Sequence, residues 1–154
     1  MKVRMGPYRK NRAMQVEIDP HDTWNMDITL AHIIHPMLIQ LKNSQISAPL
    51  VENSDVPLDM GMSEEARVKF DENGEVDGQF FIRWKWVLDE MIWAFEQKKN
   101  DNWENQYHGP WIKEGDGLLD GHFEYFDHEG IKKHAERMQN GFRLFGKYYD
   151  ALWD

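Results

Sequence analysis

The stretch from Gln79 to Lys98 leaves this chain little choice of architecture. Wound as a helix, it carries Phe80, Trp84, Val87, Leu88, Met91 and Phe95 on one stripe. Phe81, Ile82, Trp86, Ile92 and Trp93 cover most of the rest, and only a narrow line through Arg83, Glu90 and Gln97 is polar. A helix apolar nearly all round has to be covered on several sides, as a central helix or within an oligomer. Lys85 and Asp89 stand one turn apart among the tryptophans. A charge in such surroundings needs a partner, so the two are read as a structural ion pair.

Two other segments have helical periodicity. From Thr23 to Lys42, Met26, Leu30, Ile33, Met37 and Leu41 form an apolar stripe that Ile34 and Leu38 widen. Asn25, Thr29, His32, Gln40 and Asn43 form the wet face, and Asp22 or Thr23 suits the N-cap. Pro36 removes one hydrogen bond and crowds the carbonyl of His32, which predicts a kink. From His128 to Trp153, a seam of Ile131, Ala135, Met138, Phe142, Phe145, Tyr149 and Leu152 alternates spacings of four and three. Gly141 costs about 1 kcal/mol against Ala in a helix interior, which predicts the close approach of another backbone. The seam serves either packing within the chain or a homo-oligomer.

The remainder is less regular. Val3 and Met5, then Met14, Val16 and Ile18, alternate with polar residues, and Gly6-Pro7 between them marks a turn. This predicts an N-terminal β-hairpin. Residues 44–78 read as a loop region with a short helix over Ser63–Phe70, and residues 99–127 as a second loop packed down by its rings. The fold class is therefore mainly α (α+β). Three long helices join an N-terminal β-hairpin and two long aromatic-rich loop regions. A single domain spans residues 1–154, with a basic arm over 1–19 and a helical body over 20–154.

Composition narrows the chemistry. The 154 residues include no cysteine, which removes disulfides, thiolate metal sites and cysteine nucleophiles and fits a cytosol. The formal charge of −9 argues against general nucleic-acid binding. No apolar run approaches the roughly 20 residues that span a bilayer, so no membrane partner is expected. The basic residues Lys2, Arg4, Arg9, Lys10 and Arg12 all precede the first acid, Glu17. Aromatic residues make up 13% of the chain, enough to argue against disorder and for a binding surface.

Catalytic signatures are missing. There is no HExxH and no GxSxG, and the glycines of GDGLLDG sit among acids that repel a phosphate. Of seven histidines, His35, His122, His128 and His134 are the candidates for a metal, if there is one. No catalytic residue and no cofactor is expected. A small nucleotide fits the composition better. Arg4, Arg9, Lys10 and Arg12 would hold phosphate, with Arg83 as a further cation. Trp24, Trp84 and Trp86, or Trp111, would stack on the base. Asp27, Asp89 and Glu90 would accept hydrogen bonds from base or ribose.

Three segments carry a family resemblance. They are Asp22-Thr23-Trp24-Asn25-Met26-Asp27, the run WKWVLDEMIWAFEQ, and the C-terminal NGFRLFGKYYDALWD. Together they resemble a family of tailed-bacteriophage proteins with no established activity. The resemblance covers both ends and the middle, and the two loop regions match less. Members often read Met-Asp-His-Thr where this chain has Met26-Asp27-Ile28-Thr29. A role for that histidine elsewhere would be lost here. The resemblance implies a phage protein in the cytoplasm of an infected bacterium. The leading expectation is an accessory protein that binds and does not catalyse. It would serve counter-defence or host takeover by sequestering a small nucleotide signal or blocking a host protein. The alternatives are an oligomeric or virion-associated protein built on helix 128–153, and a metal-dependent enzyme.

Overall fold

The computed structural model describes residues 2–5, 14–100, 102–117 and 119–153, with the backbone alone described for 2–5, 14 and 15. The fold is mainly helical with two small antiparallel hairpins. Its centre is the helix that the sequence made most demanding, α3 in chain order, Phe80–Lys99. Trp84, Val87, Leu88, Met91 and Ala94 lose essentially all contact with solvent. Each large apolar side chain buried this way contributes about 1.5–3 kcal/mol before entropy is counted.

Two long helices cover it, α1 (Met26–Ser44) and α4 (His128–Lys147). Each packs extensively on α3, and they make no comparable contact with each other. Asp27 pairs with Lys98 and Lys42 with Asp89, so α1 runs counter to α3. Trp84 meets Tyr148 and Trp93 meets His134, so α4 does the same. At the crossing of α3 and α4, a Cβ on Gly141 would lie 2.7 Å from the carbonyl oxygen of Glu90 and against Ala94. The glycine permits the backbone approach that its presence predicted.

The helix faces depart from the simple stripes. The polar line is buried at Arg83 and Glu90. Arg83 is held by both oxygens of Asp77 (2.5 and 3.0 Å) and the carbonyl of Met60, and Glu90 by Arg137 at 2.7 and 3.0 Å. A buried charge is tolerated once its hydrogen bonds are met. The exposed residues of α3 are Phe81 and Ile82 at its start, with Lys85, Asp89 and Glu96 further along. Lys85 does not pair with Asp89, whose partner is Lys42 across on α1. On α4 the buried face is rotated from the expected seam to His134, Met138, Gly141, Leu144 and Tyr148. On α1 the buried residues are Ala31 and Leu38, while Met26, Leu30 and Met37 stay exposed. Pro36 sits inside an otherwise continuous α1.

The element ends differ from expectation for local reasons. A 3₁₀ turn over Pro20–Thr23, capped by Asp19, delays α1 to Met26. The last helix stops at Lys147, and Tyr149–Ala151 tightens into a 3₁₀ turn. The short α2 spans Glu64–Asn73, capped by Ser63 and closed by Gly74 at φ 75°. Strands β1 (Lys2–Met5) and β2 (Met14–Glu17) pair antiparallel with Val3 opposite Val16. Gly6 and Pro7, expected at the turn, lie outside the described residues.

The region 99–127 is more ordered than a loop. It holds a 3₁₀ turn over Trp103–Tyr107 and a hairpin of β3 (Trp111–Lys113) and β4 (Gly121–Phe123). The first loop region is bolted to α4 at Asp55. That side chain accepts from Tyr148 Oη at 2.7 Å, Lys147 Nζ at 2.5 Å and Arg143 at 2.8 Å. No described helix is long and apolar enough to cross a membrane.

Candidate functional site

The apolar stripe of α1 is wider than one neighbour can cover, and this creates the site. The side of α1 that faces α3 uses Ala31 and Leu38, with Ile34 and Leu41 at its margin. The next arc, Leu30, Ile34, Met37 and Leu41, turns toward the C-terminal end of the chain. There Phe145, Tyr149, Leu152 and Trp153 form a facing wall. Between the walls lies a groove of about 880 Å³, within the range of ordinary ligand sites.

Its chemistry is uniform. Pro36, Leu38, Gln40 and Ser44 complete the lining, so no charged side chain among the described residues faces the groove. Met37 is 54% exposed, Tyr149 63% and Trp153 64%. Large apolar side chains gathered at one open place mark a contact surface for another macromolecule more than chance exposure does. The nearby cations are already engaged: Lys42 holds Asp89, and Lys147 holds Glu52 and Asp55. The groove therefore offers shape and apolar area, with few polar groups to orient a small polar ligand.

Among the described residues, those proposed for a nucleotide are not brought together. Trp84 is 1% exposed and its ring is packed edge-on against Tyr148, so no base can stack on it. Arg83 and Glu90 are buried in the ion pairs described above. Trp86 is half-buried and packs on the core. Asp89 and Asp27 are exposed, but Lys42 and Lys98 occupy them. Lys98 and the amide of Ile28 hold the Asp27 carboxyl below its usual range. Trp24 is 78% exposed beside the ring of His21. Trp111, the other stacking candidate, packs against Phe123 on the hairpin. Arg9, Lys10 and Arg12 lie outside the described residues, and Arg4 is described only as part of β1.

The histidines are dispersed as well. His35 lies beside Lys99, and burial with that charge lowers its pKa. His122 is next to Glu114, and His128 packs on Phe126. His134 is stacked on Trp103 at 4.4 Å, flanked by Trp93, and bonded through Nδ1 to Tyr107 Oη at 2.9 Å. Its Nε2 is buried without a partner. Burial, and then the charge of Arg137, push its pKa down. Among the described residues, no three His, Asp or Glu side chains are placed to share a metal ion.

The groove was missed because its members were read on separate helices, as the apolar stripe of one and the seam of another. The signal was available: α1 carries apolar side chains over an arc that a single packed neighbour leaves half uncovered. No protein-family model matches the chain, and no curated protein or solved structure matches it at a significant level.

Proposed function

We propose that this chain is a phage-encoded accessory protein that acts by binding another protein and not by catalysis. Its setting is the cytoplasm of an infected bacterium, and its role is counter-defence or host takeover. The phage setting rests on the three long sequence segments. The observation that carries the binding role is the uncharged groove between α1 and the end of the chain. Apolar area with Met, Tyr and Trp at its centre suits a protein contact. A nucleotide needs stacking faces and cations in one place, and Trp84 and Arg83 are both sealed in the interior. Sequestering a nucleotide signal is therefore the less favoured reading.

The test uses the exposed groove residues. Expressed in a susceptible bacterium, the wild-type chain should alter growth or phage yield. The double variant Met37→Glu, Tyr149→Glu should lose that effect while keeping the circular dichroism and melting temperature of the wild type. A double variant with the full effect contradicts the groove's role. Turnover of a nucleotide by the purified protein contradicts the absence of catalysis.

A further inference from the structure

We propose that Asn73 is a site of spontaneous covalent modification, at which the chain's own backbone converts the asparagine to aspartate and isoaspartate, and that the fold selects it over Asn140. Asn-Gly occurs twice in the chain, as Asn73-Gly74 and Asn140-Gly141. Glycine leaves its own backbone nitrogen unshielded, so that nitrogen can reach the side-chain amide of the asparagine before it. Sequence alone gives both asparagines this reactivity, and the structure separates them. Asn73 is the last residue of α2, and Gly74 caps the helix at φ 75°. Both are exposed, as is Glu75. The Gly74 amide donates to the carbonyl of Phe70 at 2.8 Å, and a bond at a helix end opens by fraying. Little holds α2 against fraying. It makes no extensive contact with another described element, and its Phe70 ring meets Phe80 at a centroid distance of 6.0 Å. A Cβ on Gly74 would meet nothing within 4 Å, so the backbone there has room to turn. The Asn73 carboxamide is already directed along the chain beyond it. Its Oδ1 accepts from the Glu75 amide at 2.9 Å. That bond polarises the carbonyl and favours the oxyanion that forms on attack.

Asn140 differs in its nucleophile. It lies inside α4, where the Gly141 amide belongs to the helical ladder. Arg143 donates to its Oδ1 from Nε at 3.0 Å and from a second guanidinium nitrogen at 2.8 Å. Those bonds polarise the amide too, so the selection rests on the attacking nitrogen. Gly141 is buried, with Ala94 and the Glu90 carbonyl against the place of its missing side chain. Freeing its nitrogen means parting α4 from α3, which opens the core. At Asn73 the step needs only the last turn of a short helix to open. Hydroxide takes the proton of the Gly74 amide, and the nitrogen bonds to Cγ of Asn73. The bond from Cγ to the side-chain nitrogen breaks, and that nitrogen takes a proton from water and leaves as ammonia. Water then opens the cyclic imide at either carbonyl. One water enters and one ammonia leaves, with no oxidation or reduction. Either product adds a carboxylate to the C-terminal turn of α2, beside Asp71, Glu72 and Glu75, where the helix dipole disfavours negative charge. Isoaspartate also lengthens the main chain by one carbon, which takes the Gly74 amide out of register with Phe70. The groove, whose lining includes no residue of α2, should be unaffected.

Peptide mapping of the intact protein tests this. Trypsin releases Asn73 in a peptide of residues 70–83 and Asn140 in one of residues 138–143. After the folded protein is stored in mildly alkaline buffer, the first peptide should gain one dalton. Fragmentation should place the gain at residue 73, and the product should divide into aspartate and isoaspartate forms. The second peptide should keep its mass. In concentrated urea, where neither site is protected, the two asparagines should convert at similar rates. Folding should therefore create at least about a tenfold preference for Asn73 that urea removes. Asn73→Ser should abolish the mass gain in residues 70–83, which also contain Gln79. No conversion at Asn73 in the folded protein overturns the proposal, as does equal conversion of Asn73 and Asn140 there. A mass gain that persists in Asn73→Ser overturns it as well.

Discussion

His134 shows how a polar residue becomes core. Stacked on Trp103 and bonded to Tyr107, it ties the Trp103–Tyr107 turn to α4. Its lowered pKa, from burial and then Arg137, keeps it neutral in the folded protein. The unfolded chain therefore binds a proton more readily near the ordinary histidine value of about 6.5. The contribution of the neutral ring is complete above that value and is lost as the pH falls below it toward the folded pKa. His35, also lowered, acts in the same direction. Thermal melts should thus fall as the pH drops below about 6.5. His134→Gln should flatten part of that slope, and an unchanged slope would place the effect elsewhere. Asp55 works in the opposite way. Burial raises its pKa, but hydrogen bonds from Lys147, Tyr148 and Arg143 together outweigh this and lower it. Its stabilisation is present above the ordinary carboxylate value and is lost as the pH falls through the folded pKa. Burial holds the Tyr148 hydroxyl up at about 12, so it remains a donor. Asp55→Asn should cost about 2 kcal/mol, measured by urea unfolding. Neither network was legible in the sequence, because their partners are long-range: Asp55 meets Tyr148 93 residues away. Gly141 was legible, because a glycine that interrupts a strong helical period marks a place where a side chain has no room.

At the scale of elements, the helices were readable and their facing was not. The expectation of a central helix over Gln79–Lys98 agrees with α3 at Phe80–Lys99. The Ser63 cap, the antiparallel N-terminal strands and the start at His128 also follow the pattern. Facing was misjudged where a polar side chain found its partner on another element, as Arg83, Glu90, His134 and Tyr148 did. The aromatic region 99–127 was read as irregular because β3 and β4 are only three residues each. The contact of α3 with α4 makes a paired prediction. Gly141→Ala would press a methyl onto the Glu90 carbonyl, which is backbone and cannot turn aside. The cost should be about 1–3 kcal/mol from overpacking, larger than the gain in helix propensity. A Cβ on Gly146, in the same helix, would meet open space. Gly146→Ala should stabilise by up to about 1 kcal/mol. Melting temperatures that move in the same direction for both variants would contradict this packing of α3 on α4.

The whole molecule is a three-helix core with an uncharged groove beside it. Composition pointed toward a binding surface, since Trp and Tyr are favoured at interfaces. It did not place the surface, because Leu30, Met37 and Tyr149 look the same in sequence whether a neighbour covers them or not. Only the arrangement of two outer helices around α3 leaves the groove between them. The proposed function therefore rests on an uncharged apolar surface on an acidic body, and that claim has a direct measurement. Methyl-labelled methionine spectra can be followed through addition of host-cell lysate and of nucleotides. The chain has nine methionines, among them Met37 in the groove and the buried Met91 and Met138 as internal references. The account predicts that lysate shifts the Met37 signal, that Met91 and Met138 hold, and that nucleotides move none of them. A Met37 signal unmoved by lysate, with a nucleotide shifting the tryptophan indole signals, would contradict it.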